Sequence, residues 1–318
     1  MIFPKVSFVI PTYNAEKFIA NCLKSIVKQD YPGSKVEVLI IDGGSTDKTV
    51  KIANKFRVKI LENPNRDAES GKAIGIKKAE GDIIALIDAD NELVEKNWLS
   101  EMIIPFVEEN TIFGVESPWY IRKKDPLINQ YVTLLRIADP VARRLHPVMK
   151  VDDKGRYLVY KLKMGQTPVV GANGFLWRKK FIKIIGNYKE KFEEVNYVAV
   201  LINKGYFSYA RTKNVGIYHY YCTSLHSYIK KRLKIGRKFM MRKEKGQNTW
   251  VDQSKGNSFF WAVLYNTSIV LPFFEAVREY RKSKNIAWIW HPIISFLTIF
   301  VYGFTYLEAK MKHKTMNV

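Results

Sequence analysis

Cysteine is nearly absent. Cys22 and Cys222 are the two in a chain of 318 residues, 200 positions apart. That excludes a disulfide scaffold and a close-spaced cysteine metal pattern, and it fits a reducing compartment. Acidic side chains are also scarce: 30 Asp and Glu face 52 Lys and Arg, a formal net charge of +22. One Lys precedes the apolar run Val6-Ser7-Phe8-Val9-Ile10 and no small-residue cleavage site follows it. We therefore expect no signal peptide, and a cytoplasmic N-terminal part. No zinc, RNP-like or helix-turn-helix pattern accompanies the positive charge, which argues against a basic nucleic-acid-binding protein. No glycine-rich phosphate loop follows the first apolar run, which argues against a nucleotidyltransferase. What is present is enough for a core. Hydrophobic residues make up 47% and charged residues 26%, so a disordered polyelectrolyte is ruled out. The length allows one large domain, or one domain with an appendage.

The charge is unevenly placed. Residues 1–210 hold 33 basic and 25 acidic side chains, whereas residues 211–318 hold 19 and 5. Such an excess suits nucleic acid, an anionic membrane or a phosphorylated substrate. Its concentration beside apolar segments points most of it at a membrane.

The first hundred residues alternate two periodicities. Lys5 to Ile10, Val36 to Ile41, Val58 to Leu61 and Asp82 to Ile87 read as short β-branched strands. Glu16 to Lys28, a segment capped by Ser45 or Thr46 and running to about Phe56, and Glu69 to Ala79 read as helices. This alternation predicts a mostly parallel sheet flanked by helices, an α/β fold. In such sheets ligands sit beyond the carboxyl ends of the strands. Here those ends are Pro11-Thr12-Tyr13-Asn14, Asp42-Gly43-Gly44 and Asp88-Ala89-Asp90. Residues 119–165 show no clean pattern.

Asp88-Ala89-Asp90 carries the strongest chemistry. At a strand end the backbone can turn both carboxylates to one hard cation, Mn²⁺ or Mg²⁺, which keeps waters and binds substrate phosphates. Asp42 is suited either to hydrogen-bond a nucleoside or to close an Asx turn with Gly43-Gly44. Thr12 and Tyr13 offer a turn and an aromatic face, Tyr13 equally a packing residue. Lys72 is either a phosphate contact or a solvated lysine.

Val-Ile-Pro-Thr-Tyr-Asn (9–14), Ile-Ile-Asp-Gly-Gly-Ser-Thr-Asp-Lys-Thr (40–49), Gly-Lys-Ala-Ile-Gly (71–75) and Asp-Ala-Asp (88–90) come in the order and spacing of known enzymes. Together they resemble the family 2 glycosyltransferases with a GT-A fold, over roughly residues 5–220. The resemblance implies a nucleotide-diphospho-sugar donor, GDP-mannose or a UDP-sugar, with a divalent metal and inversion at the anomeric carbon. It assigns donor binding to Pro11, Thr12, Tyr13, Asn14, Glu16, Asp42, Lys72, Asp88 and Ala89, and metal binding to Asp90, with Asp88 and His219. It places Gly171, Ala172, Asn173 and Gly174 at the acceptor. Glu193-Glu194, ahead of Gly205, matches the family's Glu-Asp pair, so Glu194 takes the place of the catalytic base, usually an Asp. The other reading of that pair is a solvated helix start.

The last third changes character. From 228 to 245 there are nine basic residues and one acidic, interleaved with apolar ones. Arg232-Leu233-Lys234-Ile235-Gly236 faintly resembles the Gln-X-X-Arg-Trp segment of cellulose-synthase-like enzymes, with Ile229 and Leu233 replacing the Gln and Trp. A basic amphipathic helix over about 226–245, in the plane of an anionic membrane, is expected. Two uncharged stretches follow, 257–274 and 286–307. About 20 apolar residues span a bilayer, so the second qualifies and the first is marginal. We expect a catalytic domain over 1–222 and a membrane-attachment region over 223–318, its apolar segments transmembrane or re-entrant. A hairpin with a cytoplasmic tail is slightly favoured over an in-plane anchor. The expected activity is hexosyl transfer to a hydroxyl of a polyprenyl- or dolichol-linked glycan. The alternative is a polyprenyl- or dolichyl-phosphate sugar synthase, which needs no base.

Overall fold

The computed structural model describes residues 3–145, 149–166, 168–170, 173–186, 190–244 and 257–316. Its strands are β1 (Val6–Thr12), β2 (Val36–Asp42), β3 (Lys59–Glu62), β4 (Ile83–Leu86), β5 (Asn91–Leu93), β6 (Gly114–Glu116), β7 (Lys150–Asp153), β8 (Tyr157–Lys161), β9 (Phe175–Arg178), β10 (Ser208–Thr212) and β11 (Ile217–His219). Its helices are α1 (Ile19–Val27), α2 (Thr49–Ala53), α3 (Ala68–Lys78), α4 (Trp98–Glu108), α5 (Leu127–Leu135), α6 (Pro140–Leu145), α7 (Lys179–Ile185), α8 (Glu194–Asn203), α9 (Leu225–Glu244), α10 (Asn257–Thr267), α11 (Val270–Ser283) and α12 (Trp290–Met316). Residues divide into two compact units, 1–120 with 148–219, and 121–147 with 220–318.

The first unit holds a nine-stranded sheet in the order β3-β2-β1-β4-β9-β6-β10-β8-β7. The half built from β3, β2, β1 and β4 is parallel, as their β-branched runs predict. Beyond it β9 runs antiparallel to both β4 and β6, and β7-β8 is an antiparallel edge pair. Both faces are covered. Along β1, Val6, Phe8 and Ile10 point into one apolar layer with Ile19, Leu23 and Trp98. Val9 points into the other, with Ala73, Ile76, Val198 and Leu201. Alternate residues of a strand therefore serve opposite layers, and fully buried apolar side chains dominate its stability. Gly75 lets α3 lie against β1: a Cβ there would come within 2.4 Å of Val9 Cγ1.

One helix start differs from the sequence expectation. Neither Ser45 nor Thr46 caps α2, which begins at Thr49. Asp47 Oδ1 instead accepts the Thr49 backbone N–H at 2.9 Å. Ser45 and Thr46 are drawn into hydrogen bonds with Asp42 and Asn14.

The second unit is helical. Residues 121–147, which lacked a pattern, form α5 and α6 and pack with the C-terminal helices. α9 runs beside α12: Tyr228 Oη lies 3.3 Å from Thr298 Oγ1, and Arg237 Nε donates to Glu308 at 2.8 Å. Arg232 is turned inward, donating to Asp139 at 3.2 Å and to the Tyr221 hydroxyl. The stretch 257–274 is not one helix. It breaks after α10, and α11 leaves at 82°. The segment Ile286–Lys312 is the one helix, among the described residues, long and apolar enough to cross a membrane.

Candidate active site

The loops after β1 and β2 interlace. Asp42 ends β2 with its carboxylate nearly buried, accepting the Gly44 and Ser45 N–H groups at 3.0 and 2.8 Å. Its other oxygen accepts the Ser45 and Thr12 hydroxyls at 2.6 and 3.1 Å. The Asx turn is therefore realised, and Asp42 acts first as the clasp of its own loop. Asn14, at φ 49°, donates its N–H to Ser45 Oγ and accepts the Thr46 N–H through its side chain. Glu16 accepts the Lys48 N–H at 3.0 Å. A Cβ on Gly43 would lie 3.3 Å from the Arg66 Cα and in ordinary contact with the Thr12 carbonyl and the Tyr13 ring. Tyr13 itself stands exposed beyond Pro11, its ring available to stack on a flat ligand.

Asp88-Ala89-Asp90 follows β4 as a tight turn. The Asn91 side chain accepts the Asp88 N–H at 3.1 Å and donates to Asp90 at 3.2 Å, while its own N–H closes the turn onto the Asp88 carbonyl. Asn91 begins β5, and β5 pairs antiparallel with β11 so that His219 stands opposite Asn91. That register brings the imidazole back across 128 residues of sequence to Asn91. His219 Nε2 lies 3.7 Å from Asp90 Oδ1, and one ligand atom from each of Asp88, Asp90 and His219 falls within 4.8 Å of the others. Two carboxylates and one imidazole make a hard, mostly oxygen donor set, which fits Mn²⁺ or Mg²⁺. Trp119 packs its edge on the His219 ring at 4.7 Å and donates its indole N–H to the Asn173 carbonyl at 3.3 Å. Of the four expected acceptor residues, Asn173 is reached through Trp119, Gly174 donates its N–H to the Leu86 carbonyl at 3.0 Å at the end of β4, and Gly171 and Ala172 lie outside the described residues.

Glu194 opens α8, which is held to α3 by the Phe192 N–H donating to the Glu69 carbonyl at 2.9 Å. Its carboxylate is paired with the Lys72 ammonium, and both side chains are about nine-tenths buried, at 9% and 10% exposure. This differs from the picture of a solvated lysine and from that of a solvated helix start. Burial pushes the Glu194 carboxyl up, opposed by Lys72. Burial alone would lower the Lys72 ammonium, but the Glu194 and Asp88 carboxylates reverse that and hold it above the ordinary lysine range. Lys72, Glu194 and Asp88 thus share one electrostatic neighbourhood. Glu193, the helix cap, turns aside and accepts from the Asn196 side chain at 2.5 Å.

Sequence reasoning missed Asn91 and Trp119. The Asn next to an Asp-X-Asp turn was a readable signal; Trp119 had none, because its role depends on where β11 returns.

Residues 7–161 match the model of glycosyl transferase family 2. The poly(ribitol-phosphate) β-N-acetylglucosaminyltransferase TarS of Staphylococcus aureus is 35% identical over 112 residues, 33% of this chain and 19% of its own. The glycosyltransferase GlyG of Streptococcus pneumoniae is 29% identical over 134 residues, 40% of this chain and 44% of its own. A dolichyl N-acetyl-α-D-glucosaminyl phosphate 3-β-D-2,3-diacetamido-2,3-dideoxy-β-D-glucuronosyltransferase of Methanococcus voltae is 38% identical over 91 residues, 26% of this chain and 28% of its own. The chain thus spans less than half the length of these curated relatives. In structure it is similar to the mannosyltransferase PcManGT of Pyrobaculum calidifontis, at a TM-score of 0.59 and 14% identity, over 96% of this chain and 88% of that one. Residues 7–161 are thus a domain of glycosyl transferase family 2, and the sheet that carries them is of the GT-A type.

Proposed function

We propose that the protein is an inverting hexosyltransferase that moves a sugar from a nucleotide-diphospho-sugar, GDP-mannose or a UDP-sugar, to a hydroxyl of a lipid-linked glycan at a membrane. The observation that carries this reading is the buried Lys72–Glu194 pair in the same electrostatic neighbourhood as Asp88. The names of the relatives, sugar transferases and in one case a transferase to a dolichyl-phosphate-linked sugar, support the reaction class and the acceptor.

The nucleoside rests on the Pro11-Thr12-Tyr13-Asn14 turn and on the loop clasped by Asp42. Asp88, Asp90 and His219 would hold the Mn²⁺ or Mg²⁺, which when bound supplies positive charge to the leaving diphosphate. Glu194 takes the proton of the acceptor hydroxyl as that oxygen attacks the anomeric carbon from the face opposite the diphosphate. The bond to the diphosphate breaks and its electron pair leaves with the nucleotide. Protonation of Glu194 frees the Lys72 ammonium from its nearest counter-charge at the moment the diphosphate gains charge, so one buried pair serves both ends of the displacement.

The test is nucleoside diphosphate release from a donor panel with Mn²⁺ or Mg²⁺, with and without lipid-linked glycan. Release that requires the glycan and is lost in Glu194→Gln supports the reading. A second reading, a polyprenyl-phosphate sugar synthase, takes that ion pair as structural: an acceptor phosphate is already an anion and needs no base, so Glu194 would serve only to compensate Lys72. Full turnover of Glu194→Gln on bare lipid phosphate would establish it instead.

A further inference from the structure

Helices α10, α11 and α12 of the second unit turn large apolar side chains outward and keep polar ones buried. On α12 the buried residues include His291, Ser295, Thr298 and Thr305, whereas Ile293, Phe300, Phe304, Leu307 and Met311 are exposed along one stripe. On α10 and α11, Asn266 and Glu275 are buried while Trp261, Leu264, Leu271, Phe273 and Phe274 face outward. In water that arrangement is upside down; against lipid it is the expected one.

The break between α10 and α11 is chemically prepared for such a setting. Non-helical backbone at membrane depth needs its polar groups satisfied internally. Here Ser268 Oγ accepts the Leu271 N–H at 3.1 Å and donates to the Tyr265 carbonyl at 2.9 Å. Thr267 Oγ1 donates to the Val263 carbonyl at 2.9 Å, and Asn266 Nδ2 to the Ala262 carbonyl at 2.7 Å. Ile269 takes a left-handed φ of 57°, rare for a β-branched residue, and the chain turns through 82° there. Neither arm is long enough to cross alone. α10 has 11 residues, about 16 Å, against a hydrocarbon core of about 30 Å. The apolar start of α11 gives way to Arg278, Arg281, Lys282 and Lys284. The foot of the elbow is tied down by Glu275, which accepts from Arg143 at 3.2 Å, from Arg144 and from Tyr265. α12 is not free to cross alone either, because basic α9 lies along its 298–308 half.

On the reading that this unit attaches the enzyme to a membrane, we infer that the α10–α11 elbow is immersed in a single leaflet of an anionic bilayer, with the cationic end of α11 at the head groups. The charge selects this occupant: a second copy would bring the same cations, whereas an anionic lipid surface complements them.

The test uses the full chain with Leu271→Cys; the two native cysteines are buried, so the introduced thiol is the accessible one. It is labelled with an environment-sensitive fluorophore and added to phosphatidylcholine vesicles with and without phosphatidylglycerol. The inference expects a blue shift on the anionic vesicles, quenching by lipid nitroxides of the near leaflet, and no modification of the unlabelled thiol by a maleimide trapped in the lumen. Phe273→Asp combined with Phe274→Asp should weaken vesicle binding about tenfold or more. Labelling from the lumen, or an unshifted fluorophore on vesicle-bound protein, overturns the elbow while leaving the attachment intact. A wild-type chain that binds neither vesicle overturns the attachment and the elbow with it. Shielding of the introduced thiol without vesicles, at doubled mass, assigns the surface to a second copy and also overturns it.

Discussion

Lys72 of α3 and Glu194 at the start of α8 meet as a buried ion pair although 122 residues separate them. With both side chains about nine-tenths buried, each charge leans on the other for its ionisation.

Glu194→Gln should lower turnover about a hundred- to ten-thousand-fold while leaving nucleotide affinity close to wild type. Single-turnover rates and calorimetric binding of the nucleoside diphosphate read the two separately. Equal losses in rate and affinity would move Glu194 from the acceptor side to the donor side.

Removing one partner should hurt the fold more than removing both. Lys72→Met strands a buried carboxylate and should cost about 3–5 kcal/mol of stability. Adding Glu194→Gln to that variant should return a large part of it. Urea unfolding of the two single variants and the double variant completes the cycle.

The pH dependence follows from the direction of the Glu194 shift. Burial raises its carboxyl. A base works deprotonated, so the rate falls as pH drops through the folded-state value. The acid limb of the rate profile therefore lies above the ordinary glutamate value of about 4.3. The residual rate of Glu194→Gln should be flat across that limb.

The donor loop and the carboxylate turn should fail differently. Asp42→Ala removes the acceptor of four hydrogen bonds, so donor KM should rise and stability fall by about 1–3 kcal/mol. Asp90→Asn should leave stability near wild type yet abolish the dependence of donor affinity on Mn²⁺. Titration of nucleotide with and without the metal distinguishes the two.

Much of this was written locally. The strand ends at Thr12, Asp42 and Asp88 were legible because short apolar runs stop at polar turn residues, and a parallel sheet collects such ends on one edge. The partners that complete the site were not. Lys72 reads as any lysine until α8 brings Glu194 to it, and Trp119 finds His219 only through the β5–β11 register. Residues 119–165 resisted assignment for a related reason: they leave the sheet unit at Ile121, build two helices of the other unit, and return as edge strands. The break in 257–274 was hidden because hydropathy records composition and not the hydroxyls that stabilise a bend.

The pairing of β5 with β11 also bears on how such enzymes diversify. The match to the family model ends at residue 161, ahead of both Glu194 and His219. A polypeptide stopped there would keep the nucleoside loops and both aspartates and would have neither the imidazole nor the carboxylate assigned to the acceptor. On the proposed roles, the residues that receive the sugar can change in the later half of the chain while residues 7–161 still match the family. On those roles, a match confined to residues 7–161 bears on the donor side of the reaction alone.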